Sequence, residues 1–192
     1  MPEELKVLKI SGGNTLLDPY FIFEQIGLGA GNKIADLGCG AAGHFVVPAA
    51  KIVGKEGIVY AVDLLKSVLD AVRSRAKMEG VGNIETVWSN LEIYGATDIK
   101  EGSLDLALLA NTLFQIPKRG EVFREAVRLV KNGGRVAVVE WGLAAAPLGP
   151  PLDRRLNKDT VRELARANGL AEVKEFKAGP YHYGLIFSKN LK

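Results

Sequence analysis

The stretch 34–63 constrains what this chain can fold into more than any other part of it. Ile34-Ala-Asp-Leu-Gly-Cys-Gly-Ala-Ala-Gly43 reads as an apolar strand that ends in an acid and a glycine turn. A helical stretch follows, and Ile58-Val-Tyr-Ala-Val-Asp63 reads as a second strand ending in another acid. Strand, glycine turn, helix and strand form the unit of a parallel sheet, which cups a nucleoside-bearing ligand at the carboxyl ends of two neighbouring strands. The first acid, Asp36, precedes the glycines, where a dinucleotide site usually has an apolar residue.

The same alternation continues along the chain, and hydrophobic periodicity places the elements. Residues 16–28 read as an N-terminal helix starting near Pro19, because proline is favoured in a first helical turn. The spacing predicts strands over 33–37, 58–62, 84–88, 104–110 and 135–141, with helices over 43–53, 66–79 and 118–131. Helix 66–79 carries Val68, Leu69, Val72 and Ala76 on one face and stops at Gly80. Helix 118–131 carries Val122, Phe123, Ala126, Val127 and Val130 and is closed by Asn132-Gly133-Gly134. Residues 142–157, rich in Ala, Pro and Gly, read as a surface loop before a helix at 158–168. The last two strands, 171–178 and 183–188, are joined too tightly for a parallel crossover, so they form an antiparallel hairpin. The expected fold class is α/β: a Rossmann-like, seven-stranded, mostly parallel sheet with an antiparallel last strand and helices on both faces. One domain over 1–192 is expected, with 1–30 as a helical cap and 31–192 as the core.

Composition narrows the function classes. Against 25 basic side chains stand 22 acidic ones, so the net charge is +3, and like charges nowhere run to five in succession. An extended nucleic-acid stripe is therefore not expected, and Lys51, Lys55, Arg73, Arg75 and Lys77 read as solvated helix faces. The lone cysteine, Cys39, excludes an intrachain disulfide and a multi-cysteine zinc site. No apolar run approaches a membrane span or a signal sequence, so a soluble cytoplasmic protein without a metal is the expectation.

Several marks now stand together: Asp36-Leu-Gly-Cys-Gly40, Asp63 closing the second strand, Asp105 within the fourth, Val130-Lys-Asn-Gly-Gly134 before the fifth, and the terminal hairpin. On these the chain resembles the class I S-adenosylmethionine-dependent methyltransferases over nearly its whole length. It is most similar to their small-molecule branch, related to the ubiquinone/menaquinone and arsenite methyltransferases. The resemblance implies S-adenosyl-L-methionine as cofactor and a small-molecule acceptor as partner. It implies no structured nucleic acid and no membrane, and leaves an oligomer open. Roles follow from the cofactor's groups. Gly38 and Gly40 let the backbone approach the methionine portion. The helix after Gly43 offers unpaired N–H groups and a positive dipole end to its carboxylate. Asp36 answers its ammonium, and Asp63 accepts from the ribose hydroxyls. Leu64 packs on adenine, Asn90 with Leu91 meets the adenine amino edge, and Asn111 touches the methionine portion.

Three departures from the family pattern are visible. The third glycine of the loop is Ala42, with Gly43 one residue later. Asn90 stands where an aspartate is common. Asn111-Thr-Leu-Phe114 lacks the two prolines that nucleic-acid amino-methyltransferases carry at this place, which weighs against methylation of a base amine. Cys39 sits inside the glycine loop, so a covalent cysteine route to pyrimidine carbon-5 has no evident nucleophile.

Methyl transfer needs nucleophile, methyl carbon and sulfur in line, and a base only when the attacking atom carries a proton that must leave. Three segments reach the carboxyl edge of the sheet: the turn 41–45 with His44, the loop after Trp141, and the tip Tyr181-His182-Tyr183. His182 and His44, the two histidines of the chain, are the candidate catalytic residues. Each has a plainer reading, His44 as a first-turn polar residue and His182 as an exposed tip residue. Glu140 reads as a further base or as the partner of a neighbouring loop, and Tyr20, Phe21 and Phe23 as an aromatic lid or as core. Residues 11–28 and 181–183 are expected to form the acceptor mouth. Two other classes stay open. Gly38-Cys-Gly-Ala-Ala-Gly43 also fits an NAD-dependent oxidoreductase, with Asp63 lying 20 residues past the last glycine; Asp36 and the hairpin weigh against it. A non-catalytic cofactor-binding or RNA-associated scaffold is the other.

Overall fold

The computed structural model describes residues 16–144, 146 and 149–190. In chain order these form α1 (Pro19–Ile26), β1 (Lys33–Leu37), α2 (Val46–Val53), β2 (Ile58–Asp63), α3 (Lys66–Met78), β3 (Ile84–Trp88) and β4 (Leu104–Ala110). Then come α4 (Arg119–Leu129), β5 (Val130–Trp141), α5 (Lys158–Ala167), β6 (Leu170–Lys177) and β7 (His182–Lys189). The strands make one sheet in the order β3-β2-β1-β4-β5-β7-β6, and β7 alone runs against the others. The expected Rossmann-like α/β class is the observed one.

This order fixes where a ligand can sit. From β1 the chain moves outward to β2 and β3, then returns to the other side of β1 for β4 and β5. The connections after β1 and β4 therefore diverge, and a crevice opens between the carboxyl ends of those two strands. The inner strands β1, β4 and β7 and the second half of β5 are buried on both faces because helices cover both, while the edge strands β3 and β6 are partly exposed. Ile34, Val59, Leu108, Val139 and Ile186 pack with Ile22, Phe45, Ala49 and Val72 on one side. Leu37, Val62, Leu109, Val138 and Phe187 pack with Phe123, Leu129, Val161 and Ala165 on the other. Truncating any of the fully buried leucines to alanine is expected to cost about 2–5 kcal/mol.

Local chemistry explains the boundaries. Asp18 caps α1 by accepting from the amides of Tyr20 (2.9 Å) and Phe21 (3.3 Å), with Pro19 opening the helix. Helix α2 begins at Val46, three residues later than the sequence spacing suggests. The turn before it carries Gly43 at φ +54, a left-handed conformation that cannot belong to the helix. At the other end, α4 stops at Leu129 and β5 starts at once at Val130 rather than at 135. The Asn132-Gly133-Gly134 run is an irregularity inside the strand, not a helix stop. Gly133 sits at φ +75, and the register against β4 shifts between Leu104 and Leu106.

Candidate functional site

The crevice begins with the glycine turn. The amides of Gly38 and Cys39 donate to Val62 O at 2.8 and 3.0 Å, stitching the turn after β1 onto the end of β2. Gly38 has φ +86, and a Cβ there would lie 2.8 Å from Thr112 Cγ2, so both conformation and space require glycine. Around Gly40 there is open space. Cys39 is buried in the turn, and burial followed by the nearby Asp36 charge pushes its thiol far up, so it stays an unreactive thiol.

Two carboxylates close the crevice from below. Asp36 is 2 % exposed, and its Oδ2 has no hydrogen-bond partner. Burial, helped by the charge of Asp63, lifts it from an ordinary 3.8 to about 7. A buried carboxyl oxygen without a donor is costly, and a cation bearing N–H groups relieves it. Asp63 accepts from Gly40 N at 3.2 Å and from Leu65 N at 3.0 Å. A carboxylate has roughly four lone-pair sites, so about two remain for ligand hydroxyls. Ser89 N donates to Asp63 O, which brings the start of the β3 loop beside β2. There Asn90 Oδ1 accepts from Glu92 N at 3.0 Å, and the Leu91 side chain is sunk in the apolar cluster, leaving its backbone for any ligand. Leu64 is half exposed, with Trp88 Nε1 donating to its carbonyl at 2.8 Å.

Across the crevice, Asn111 follows β4 at φ +53, buried, with its amide donating to Val139 O at 2.8 Å. Glu140, wholly buried at the end of β5, accepts from Leu113 N at 2.7 Å. Burial outweighs these backbone donors and lifts its carboxyl to about 8. Of the two readings the sequence left for Glu140, the hydrogen bond to a neighbouring loop is the one found.

The histidines lie apart. His44 places Nε2 2.9 Å from Leu17 O and stands edge-on to Phe45, tying the glycine loop to the segment before α1. His182 is not an exposed tip residue: the turn ends at Tyr181, and His182 opens β7 at 4 % exposure. It pairs with Trp141 across the strands, their ring centroids 4.1 Å apart. Neither of its ring nitrogens has a partner, and burial, with the charge of Arg155, lowers its pKa to about 4. It is therefore a neutral imidazole at physiological pH. From β1 to β7 is three strand spacings, about 14 Å, so Asp36 and His182 face different parts of the edge.

Sequence reading missed two residues here. Arg155 donates to the carbonyls of Gly142 (3.0 Å), Ala144 (2.9 Å) and Pro150 (2.9 Å), with its guanidinium over the Trp141 ring. Thr112 braces the glycine turn. Arg155 belongs to no local pattern, and Thr112, though inside Asn111-Thr-Leu-Phe114, carries no signal there of its contact with the glycine turn. Of the aromatic trio, Phe23 is core, packed edge-on to Phe45, while Tyr20 and Phe21 face outward. Leu16, Asp18 and Phe21 meet Lys177, Ala178, Gly179 and Pro180 around a groove of about 450 Å³. Residues 11–15 of the expected mouth lie outside the described residues. No described helix is long and apolar enough to cross a membrane.

Comparisons with known proteins bear on this crevice. The chain is similar to a ubiquinone/menaquinone biosynthesis C-methyltransferase of Pseudomonas putida, 32% identical over 133 residues that cover 69% of this chain and 50% of that protein. It thus spans about half the length of the curated relatives it matches. In solved structures, the fold matches a SAM dependent methyltransferase from Aquifex aeolicus with a TM-score of 0.85 at 22% identity, covering 98% of both chains. It also matches an arsenic(III) S-adenosylmethionine methyltransferase from Chlamydomonas reinhardtii with a TM-score of 0.70 at 22% identity, covering all of this chain and 71% of the other. At that identity these two speak for the fold alone. The model of the ubiE/COQ5 methyltransferase family matches residues 14–149, from the segment before α1 past the end of β5. That span takes in both carboxylates, the glycine turn and the strained turn after β4, and on it this chain belongs to the ubiE/COQ5 methyltransferase family.

Proposed function

We propose that this chain binds S-adenosyl-L-methionine in the crevice between β1 and β4 and transfers its methyl group to a small-molecule acceptor. The observation that carries the reading is the buried, unpartnered Oδ2 of Asp36, which the ammonium of an amino-acid ligand satisfies. Gly38 and Gly40 admit the methionine portion. Asp63 holds the ribose with the lone pairs its two backbone donors leave free, and Asn90, Leu64 and the Leu91 backbone border the adenine. Asn111 lies against the methionine portion. Once bound, the cofactor supplies a methyl carbon already activated by its sulfonium, so the protein's work is orientation and exclusion of water.

The acceptor side is the surface formed by Trp141, His182 and the loop clasped by Arg155, with His44 and residues 16–28 at its margin. His182 lies under this surface as a neutral imidazole with both ring nitrogens buried, so it shapes the acceptor side rather than stripping a strongly held proton. The near-balanced charge of +3 gives no platform for a structured nucleic acid. Because the curated relatives are named for ubiquinone/menaquinone biosynthesis, precursors of those quinones are the first acceptors to assay.

The test is incubation with methyl-labelled cofactor and separate metabolite, protein and RNA fractions, including quinone precursors. Label entering the metabolite fraction supports the reading. Label entering RNA or protein instead contradicts it.

A further inference from the structure

We propose that Glu140 is a positioning residue: its buried carboxyl group holds the Asn111–Leu113 turn in a strained left-handed form, and that turn is the wall against which the methionine portion of the ligand lies. The proposal rests on the reading of the crevice given above.

The strain is local and visible. Among the described residues, Asn111 is the one non-glycine residue with positive φ, at +53, and it is buried. Asparagine tolerates this region better than most residues, yet it is still disfavoured, so the surroundings must impose it. They do so through four hydrogen bonds. Asn111 N donates to Val139 O of β5 at 2.8 Å, and Gln115 Nε2 donates to Asn111 O at 2.8 Å. Thr112 Oγ1 donates to Leu37 O of β1 at 3.0 Å. Glu140 supplies the remaining anchor, its Oε1 accepting from Leu113 N at 2.7 Å. The amides of Phe114, Thr112 and Trp141 crowd the same carboxyl group, while Oε2 has no partner in hydrogen-bond geometry.

What the turn touches gives the anchor its consequence. A Cβ on Gly38 would lie 2.8 Å from Thr112 Cγ2, so the turn after β4 is braced directly against the glycine turn after β1. Asp36, with its unpartnered oxygen, precedes that glycine turn by two residues on the same strand end. Letting the 111–113 turn relax shifts the wall beside the amino-acid end of the crevice. The Asn90 end is held within its own loop and to the end of β2, with Asn90 Oδ1 accepting from Glu92 N and Ser89 N donating to Asp63 O. The Asp63 carboxylate meets the glycine turn at Gly40, two residues beyond the Gly38 that Thr112 braces, so that end shifts less. Glu140 thus acts through Leu113 and Thr112 on one half of the ligand.

Two probes separate the halves: S-adenosylhomocysteine, which has the amino-acid portion, and 5′-methylthioadenosine, which lacks it. Calorimetry of Glu140→Ala is expected to show S-adenosylhomocysteine weakened tenfold or more and methylthioadenosine weakened less than threefold. Glu140→Gln retains an oxygen for Leu113 N and should bring both ligands within threefold of the natural chain. Glu140→Asp draws the carboxyl group back by one methylene and should behave like the alanine variant. Should Glu140→Ala fail to fold, the aspartate and glutamine variants carry the same comparison. Equal weakening of both ligands, or of neither, in the folded alanine or aspartate variant overturns the proposal, as does a glutamine variant that loses S-adenosylhomocysteine tenfold. A natural chain that binds neither ligand overturns the reading of the crevice, and the proposal with it.

Discussion

The two sides of the crossover between β1 and β4 are built on different principles. On the β1–β2 side, the polar groups come from two short runs, Asp36–Gly43 and Asp63–Leu65, on neighbouring strand ends. They leave an unpartnered carboxyl oxygen and open space above Gly40. On the β5–β7 side, Trp141, Arg155, His182 and the backbone of Gly142 and Ala144 come from separate stretches, brought together by an antiparallel pairing and a guanidinium clasp. One side carries the two carboxylates; the other is a buried aromatic pair, Trp141 and the neutral His182, under the Arg155 guanidinium. On the proposed reading, the contrast teaches that a cofactor site can be encoded locally, whereas the side assigned to the acceptor is a product of tertiary assembly.

The contrast can be broken most sharply at Asp36. Replacing it with asparagine should weaken S-adenosylhomocysteine by about 3–5 kcal/mol, the range for losing one member of a buried charged pair. The same change should stabilise the ligand-free protein at pH 8. Burial and the Asp63 charge raise the Asp36 pKa from 3.8 to about 7 in the fold. Its contribution to stability is therefore whole below about pH 3.8 and is lost as the pH rises through 7, a loss of up to about 4 kcal/mol. Urea unfolding at pH 4 and pH 8 measures the difference. Asp63→Ala should cost about 2–3 kcal/mol of binding, as expected for hydrogen bonds to a charged group, with circular dichroism unchanged. Equal affinity in the folded variant would detach Asp63 from the ligand.

On the other side the signs change. His182→Phe removes two buried nitrogens that have no partner, and should raise stability by about 1–2 kcal/mol. Cofactor affinity should stay within about twofold while methyl transfer to the acceptor falls, since the changed residue lies three strand spacings, about 14 Å, to the side of Asp36 and well beyond the level of Asp36 along the strands, where Ile186 stands. A loss of cofactor binding instead would mean that the two sides are not separate. The smallest effect is expected at Asn90, where alanine should weaken binding by about 1 kcal/mol, the worth of a neutral hydrogen bond.

Legibility followed the same division. The strands β1 to β4, the glycine turn and both carboxylates were readable because strand periodicity and turn glycines act over a few residues. The start of β5 was not. Asn132-Gly133-Gly134 carries the chemistry of a helix stop, yet Val130 already pairs with Leu104 and the glycines form a bulge. The burial of His182 was equally hidden, because it depends on Trp141 opposite and on a loop held down by Arg155. Thr112 against Gly38 is a contact between residues 74 positions apart in the chain, with no local signal to announce it.

The central claim is that Asp36 meets the ammonium of the ligand. Its most direct test is calorimetric titration of S-adenosylhomocysteine into the natural chain at pH 6 and pH 8, in buffers of different ionisation heat. Asp36 is mostly protonated at pH 6 in the free fold and must ionise to hold the ammonium. The account predicts release of close to one proton per ligand at pH 6, almost none at pH 8, and an affinity that climbs by about tenfold per pH unit below 7. Binding at pH 6 with no proton released, or NAD binding more tightly than S-adenosylhomocysteine, would contradict it.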